Sequence, residues 1–219
     1  MKQVKTGDGS ITFHNEQYDE TYHSITGAKE EALKKFVEPS NVKKYALNDE
    51  VNILDVCFGL GYNSAMAIDK ILEANLGCKI NIIGLENDIK ILKKINDVNP
   101  LIQSYTMFKD LEKNNYDINE DGITIKIMIG DALKTIKEID EKKQKFDLVF
   151  HDPFSPKKCP ELWSEKLFKE IKKRMKQDSI LTTYSCARIV RDNLKKAGFT
   201  VEDGPSVGRR APSTIARPI

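Results

Sequence analysis

Four short segments of this 219-residue chain gather residue types that could do chemistry. In Asp55-Val56-Cys57-Phe58-Gly59-Leu60-Gly61-Tyr62-Asn63, glycines at 59 and 61 allow a tight turn and a close backbone approach to a ligand. The helix expected after them offers free amides. Gly84-Leu85-Glu86 ends a second apolar run on an acid, 25 residues beyond Gly61. An acid there can accept from the two hydroxyls of a ribose. In Gly130-Asp131-Ala132, Asp131 is either the N-cap of the next helix or an acceptor for an adenine amino group, and the two roles can coexist. His151-Asp152-Pro153-Phe154-Ser155-Pro156-Lys157-Lys158 carries two prolines that stiffen a loop, with Asp152 where a substrate would be handled. Each segment alone has a plainer reading. Cys57, two before Gly59, departs from GxGxxG, and Asp-Pro is a common turn start.

The elements that must position these residues alternate. Short apolar runs at 51–58, 79–86, 122–130, 145–152 and 179–185 read as strands. Helical patterns are expected over 62–76, 88–97, 100–112, 132–141, 160–177 and 186–197. FTVEDG and the terminal ARPI read as short final strands. Alternation of this kind implies parallel βαβ units in an α/β, doubly wound, mostly parallel Rossmann-like sheet. Ligands bind such sheets at the carboxyl ends of the strands near the topological switch. All four segments fall in those loops. Ahead of the sheet, residues 2–14 read as a β-hairpin around Gly7-Asp8-Gly9, 17–26 as loop and 27–38 as a helix stopped by Pro39. Residues 1–45 are therefore expected to be an N-terminal extension (hairpin, loop, helix), and 46–219 the main domain.

Composition bounds the class. The chain is 40% hydrophobic and 31% charged, the balance of a globular protein. No apolar run nears the roughly 18 residues of a membrane span, and no signal-peptide pattern follows the first lysine. A cytoplasmic protein without membrane association is expected. The cysteines at 57, 78, 159 and 186 form no CxxC pair and lie far from His14 and His23, so neither a metal site nor a disulfide framework is expected. Net charge is −5 over residues 1–150 and +7 over 151–219, and all six arginines fall in the last 46 residues. That asymmetry points to a polyanionic partner or to an ordinary solvated basic surface.

The four loops together resemble a class I S-adenosylmethionine (SAM)-dependent methyltransferase. The resemblance implies Gly59 and Gly61 under the methionine part, Glu86 on the ribose and Asp131 at the adenine. A narrower resemblance covers about residues 19–210. DPFSPKKCPELWSEKLFKEI (152–171) is similar to the DxFxPxxNPxxW segment of the MnmC/MnmD family, which methylates the wobble uridine of tRNA. Asp19, Tyr22, Ser24, Gly27 and Glu31 resemble its N-terminal region. FGLGYN, with Phe58 and Asn63, resembles its cofactor loop, and residues 182–210 resemble its C-terminal pattern. Cys57 replaces a glycine of the loop, Cys159 stands where asparagine is common, and the terminal GRRAPSTIARPI departs from the family ending. No second nucleotide-binding fingerprint remains, so the FAD-dependent oxidase domain of bifunctional members is expected to be absent.

The resemblance implies methyl transfer from SAM to an exocyclic aminomethyl nitrogen on uridine. Asp152 is the expected catalytic residue, accepting a hydrogen bond from the amine and stabilising charge developing on nitrogen. Phe154 and Tyr22 are expected to sandwich the uracil. Tyr22, and more weakly Ser24, are also candidates for the methionine carboxylate. Lys157, Lys158, Arg188, Arg191, Arg209 and Arg210 are candidate phosphate contacts on tRNA, and a separate enzyme is expected to supply the aminomethyl precursor. Three other functions compete: an aminopropyltransferase of the spermidine synthase type, a methyltransferase of a small-molecule or protein amine, and a nucleic-acid-binding module with a vestigial pocket.

Overall fold

A computed structural model describes residues 1–208 and 210–219. Strands β1 (Lys2–Lys5), β2 (Ile11–Asn15) and β3 (Glu20–Thr21) form a small antiparallel sheet. The hairpin is as expected, while β3 lies where a loop was expected. α1 (Ala28–Glu31) runs on into a π-helical stretch over Ala32–Val37, followed by α2 (Val42–Tyr45). Then come β4 (Glu50–Val56), α3 (Tyr62–Ala74), β5 (Lys79–Glu86), α4 (Ile89–Lys93), α5 (Tyr105–Phe108), β6 (Asp117–Glu120) and β7 (Ile123–Ile129). The chain finishes with α6 (Ala132–Glu138), β8 (Phe146–His151), α7 (Glu165–Lys173), β9 (Met175–Thr183), α8 (Arg188–Lys196), β10 (Phe199–Asp203) and β11 (Thr214–Pro218).

The main sheet has eight strands in the order β10-β11-β9-β8-β4-β5-β7-β6. The five central strands are parallel, and β6, β10 and β11 pair antiparallel at the two edges. The chain runs outward from β4 through β5 to β7, then returns to place β8 on the other side of β4. The switch point therefore lies between β4 and β8. Asp152 N donates to Val56 O at 3.0 Å there, closing the ladder directly below two of the candidate loops.

Central parallel strands are covered on both faces, which their composition reflects. Val51, Ile53, Leu54 and Val56 of β4 are all fully buried. Ile53 packs with α3 residues Ala65 and Ile68 on one face. Leu54 belongs to the cluster on the other, with Ile136 of α6, Leu167 of α7 and Leu194 of α8.

The expected helix over 160–177 is shorter. A 3-10 turn covers Pro160–Trp163, and α7 starts only after Ser164, whose extended backbone and Oγ accepting from Leu167 N make a helix cap. At the other end, Arg174 is buried, donating to Ile139 O and Glu170, and Met175 already belongs to β9, pairing with Phe146 of β8. The edge strand β6 was not expected; it pairs with β7 around the turn at Asp121-Gly122.

Two histidines are buried and held neutral in the fold, His151 without any exposure. Burial lowers His151 to about 3 and His23 to about 4. His151 sits edge-on to Trp163, ring centroids 4.9 Å apart, and against Phe168 at 5.0 Å. In the unfolded chain a histidine takes a proton below its ordinary value of about 6.5. The contribution of His151 is thus complete above that value and is lost progressively as pH falls from it towards about 3. Asp55, raised to about 7 by burial, works in the opposite direction. A comparison of variants isolates the histidine. Between pH 7 and pH 5, urea unfolding should show His151→Phe gaining about 2 kcal/mol relative to the wild type. A pH-independent difference would contradict this.

Candidate active site

The glycine turn begins with backbone strain. Cys57 N and Phe58 N both donate to Leu85 O, at 2.9 and 3.0 Å, so the chain must swing across the end of β5. Cys57 takes the swing at φ 66°, in the left-handed region that side chains resist. Gly59 follows at φ 56° and Gly61 at 75°. A Cβ on Gly61 would lie 2.6 Å from Phe58 and 2.7 Å from Phe108, so this glycine is dictated by packing. A Cβ on Gly59 would instead lie 3.7 Å from the Tyr22 ring in the cavity wall, so its absence leaves room there.

Glu86, at the carboxyl end of β5, is 6% exposed. Its Oε2 accepts from Gly59 N at 2.8 Å, and its Oε1 from Asn87 N and Asp88 N at 2.9 Å each. Burial raises its pKa, and the three amides counteract that rise. A carboxylate offers about four acceptor positions. Three are filled from the backbone, which leaves one for a ligand hydroxyl. Beyond Glu86, a chamber of about 170 Å³ is walled by Gly130, Asp131, Leu133 and Leu162. Asp131 Oδ1 accepts from Leu133 N at 3.0 Å, so the N-cap role is realised.

This chamber shares Tyr18, Cys57, Glu86, Asn87 and Leu162 with a larger cavity of about 470 Å³. Asp152 lines the larger cavity. Asn63 Nδ2 donates to Asp152 Oδ2 at 2.9 Å. Burial, then the neighbouring carboxylate of Glu31, raises the Asp152 pKa well above the ordinary carboxylate range, while Asn63 pulls it down. The loop that carries Asp152 is pinned throughout. Tyr184 Oη donates to Pro153 O at 3.0 Å, Trp163 Nε1 to Phe154 O at 2.8 Å, and Ser155 N and Oγ to the Glu20 carboxylate.

The N-terminal elements supply the facing wall: Tyr18, Glu20, Tyr22, Ser24, Glu31 and Lys35. Phe154 lies between two tyrosines, with ring centroids 4.6 Å from Tyr18 and 5.0 Å from Tyr22. These rings are in contact, so no base fits between Phe154 and Tyr22, and the expected sandwich is not formed. Tyr22 Oη is engaged with Asp88 at 2.7 Å and with Asn15 at 2.9 Å.

The structure brings Tyr22, Ser24, Gly59, Glu86, Asp152 and Phe154 to one cavity and Asp131 to its annex. Three residues of the glycine loop do other work. Phe58 is 2% exposed and stacks beneath the turn on Phe108, Gly61 makes room for both rings, and Asn63 holds Asp152. Of the basic candidates, Lys157, Lys158, Arg188 and Arg210 are exposed. Arg191 is committed internally: it donates to Thr214 Oγ1 and Ser213 O and pairs with Asp203 at 2.6 Å. That geometry removes it from the phosphate contacts. Arg209 lies outside the described residues. Sequence reasoning missed Tyr18, Glu20, Lys35 and Tyr184 as wall residues. Glu31 stood in the N-terminal motif, but nothing in the polar run around Glu20 marked that residue.

The strain at Cys57 is testable by urea unfolding. A β-branched side chain is least tolerated at positive φ, so Cys57→Val should destabilise the protein by about 1–2 kcal/mol. Cys57→Gly should stay within about 1 kcal/mol of the wild type. Equal stability of the two variants would contradict the strain.

The geometry fits a nucleoside with a charged tail: a buried acid with one acceptor position for a ribose hydroxyl, an annex for a base, and a glycine gap beside a charged wall. Comparison with known proteins agrees. A family model described as S-adenosyl-L-methionine-dependent methyltransferase matches residues 94–218. An uncharacterized protein of Methanocaldococcus jannaschii is 34% identical over 97% of this chain and 58% of its own length. The tRNA 5-methylaminomethyl-2-thiouridine biosynthesis bifunctional protein MnmC of Leptospira interrogans is 26% identical over 94% of this chain. The chain spans only 33% of that relative's length. The crystal structure of MnmC2 from Aquifex aeolicus is similar at a TM-score of 0.89 and 36% identity, over 99% of this chain and 70% of that one. With the family model matching more than half of its residues and that solved structure sharing its architecture, the chain belongs to the S-adenosyl-L-methionine-dependent methyltransferases, as an MnmC-like methyltransferase domain.

Proposed function

We propose that this chain transfers the methyl group of SAM to the exocyclic aminomethyl nitrogen of a modified wobble uridine in tRNA. The observation that carries the reading is Asp152: a carboxylate at the switch point, in one cavity with Gly59 and Glu86, on a loop held from four sides. The name of the Leptospira relative supports the tRNA substrate, as does the basic last third of the chain.

In this reading Glu86 takes the ribose and Asp131 stands at the adenine. Gly59 leaves room for the methionine part, with Tyr22 and Ser24 beside it. SAM supplies a methyl group activated by its sulfonium. The chain contributes position and charge. The amine must be neutral to attack. Asp152 orients it by accepting a hydrogen bond, and opposes the positive charge that grows on nitrogen as the C–N bond forms. Its raised pKa makes it a stronger proton acceptor than an ordinary carboxylate. The released proton passes through Asp152 or directly to water. The base stacks on the Tyr18–Phe154–Tyr22 cluster rather than within it. Lys157, Lys158, Arg188 and Arg210 meet phosphates, and a separate enzyme provides the aminomethyl precursor in the cytoplasm.

The test is methyl-labelled SAM with bulk tRNA from cells blocked in wobble-uridine methylation, read by mass spectrometry of nucleosides. The label should appear on an aminomethyl-uridine. Asp152→Ala should lower turnover by about 100-fold or more, with affinity for S-adenosylhomocysteine within about threefold of wild type. Protonation of Asp152 removes its acceptor, so kcat/KM should fall with pH well above the ordinary aspartate value of about 3.9. Unlabelled RNA with SAM binding intact would reject the tRNA substrate in favour of a small amine. Equal losses of turnover and affinity in Asp152→Ala would reject the role of Asp152.

A further inference from the structure

The cavity wall holds a feature the reaction above does not use. Lys35 Nζ donates to Glu31 Oε1 at 2.8 Å, and Ser24 N donates to Glu31 Oε2 at 2.7 Å. The two side chains are only 5% and 11% exposed, yet both line the larger cavity. A lysine has three N–H donors. Among the described residues, the Lys35 ammonium donates to Glu31 alone. A buried ion pair adds little stability compared with apolar residues of the same volume, because both ions lose their hydration. This pair therefore needs a reason other than holding the fold. Lys35 also sits in the π-helical stretch Ala32–Val37, a rare winding that occurs frequently at functional sites.

The cavity carries two groups of charged residues. Glu86 and Cys57 are shared with the Asp131 annex and Gly59 N bonds Glu86, while Asp152 lies close enough to Glu31 and Lys35 to feel both charges. A donor placed with its nucleoside at Glu86 carries its amino-acid tail past Gly59. That tail bears an ammonium and a carboxylate on a single carbon. We infer that the Glu31–Lys35 pair is the receptor for this amino-acid end, with Lys35 taking the α-carboxylate and Glu31 the α-ammonium. The four charges then alternate, and the spare Lys35 donors are used. This assignment rests on the reading that SAM occupies the cavity. It makes Lys35 a specificity residue, selecting a carboxylated donor over the decarboxylated one that aminopropyl transfer uses.

Calorimetric titration tests it with two ligands, S-adenosylhomocysteine and its decarboxylated analogue. Three proteins are needed: wild type, Lys35→Met, and the double variant Glu31→Gln/Lys35→Met, whose wall carries no unpaired charge. Thermal melting confirms that each is folded. Wild type should prefer the carboxylated ligand by about 10- to 100-fold, the worth of a charge-assisted hydrogen bond. Both variants should bind the two ligands within about threefold of each other. A full preference retained in both variants would overturn the assignment, as would equal weakening of the two ligands, which marks a purely structural pair. Failure of wild type to bind either ligand would overturn the cofactor reading, and this inference with it.

Discussion

The site depends on one buried carboxylate. Glu86 receives amides from two different loops: Gly59 from the turn after β4, and Asn87 and Asp88 from the turn after β5. The burial that makes the carboxylate useful to a ligand also makes it costly without partners. The backbone supplies those partners, so the loops are set in place before any ligand arrives. The same constraint accounts for the strain at Cys57. Its amide and that of Phe58 share Leu85 O, and reaching Gly59 onto Glu86 from there takes a residue with positive φ.

The second condition is closure of the crevice by the first 40 residues. An open α/β sheet leaves the carboxyl ends of its strands exposed to water. Here the small sheet and the helix after it form the opposite wall. Glu20 bonds Ser155, and Thr182 Oγ1 in β9 donates to Phe36 O in the π-helical stretch. The wall thus touches the loop after β8 and the strand beyond it. It also brings the carboxylate of Glu31 near Asp152, adding to the rise in proton affinity that burial causes. Distant segments thus add to the electrostatics of a residue that burial and the Asp55 carboxylate on β4 already perturb.

Much of this was legible in the sequence because parallel strands buried on both faces read as apolar runs, and each candidate segment ends such a run. Glu86, Asp131 and Asp152 were marked by that position. Helix ends were harder. The break at Ser164 depends on a side-chain cap, and the early start of β9 on burial of Arg174, neither of which periodicity reveals. The glycine loop was half legible. Its motif named Phe58, Gly61 and Asn63, but only packing shows that they support the site from beneath. The wall residues were least legible. Tyr18, Glu20 and Lys35 meet the cavity through contacts across the fold, and a single polar residue in a polar run carries no periodic signal.

In the proposed reading Glu86 anchors a nucleoside beside the switch point, at the carboxyl end of β5. Calorimetric titration of Glu86→Gln with S-adenosylhomocysteine tests it most directly. Glutamine keeps the shape and one acceptor oxygen but loses the charge and acceptor positions. Affinity should fall about 10- to 100-fold below wild type in a protein that still unfolds cooperatively. Wild-type affinity in Glu86→Gln would contradict it.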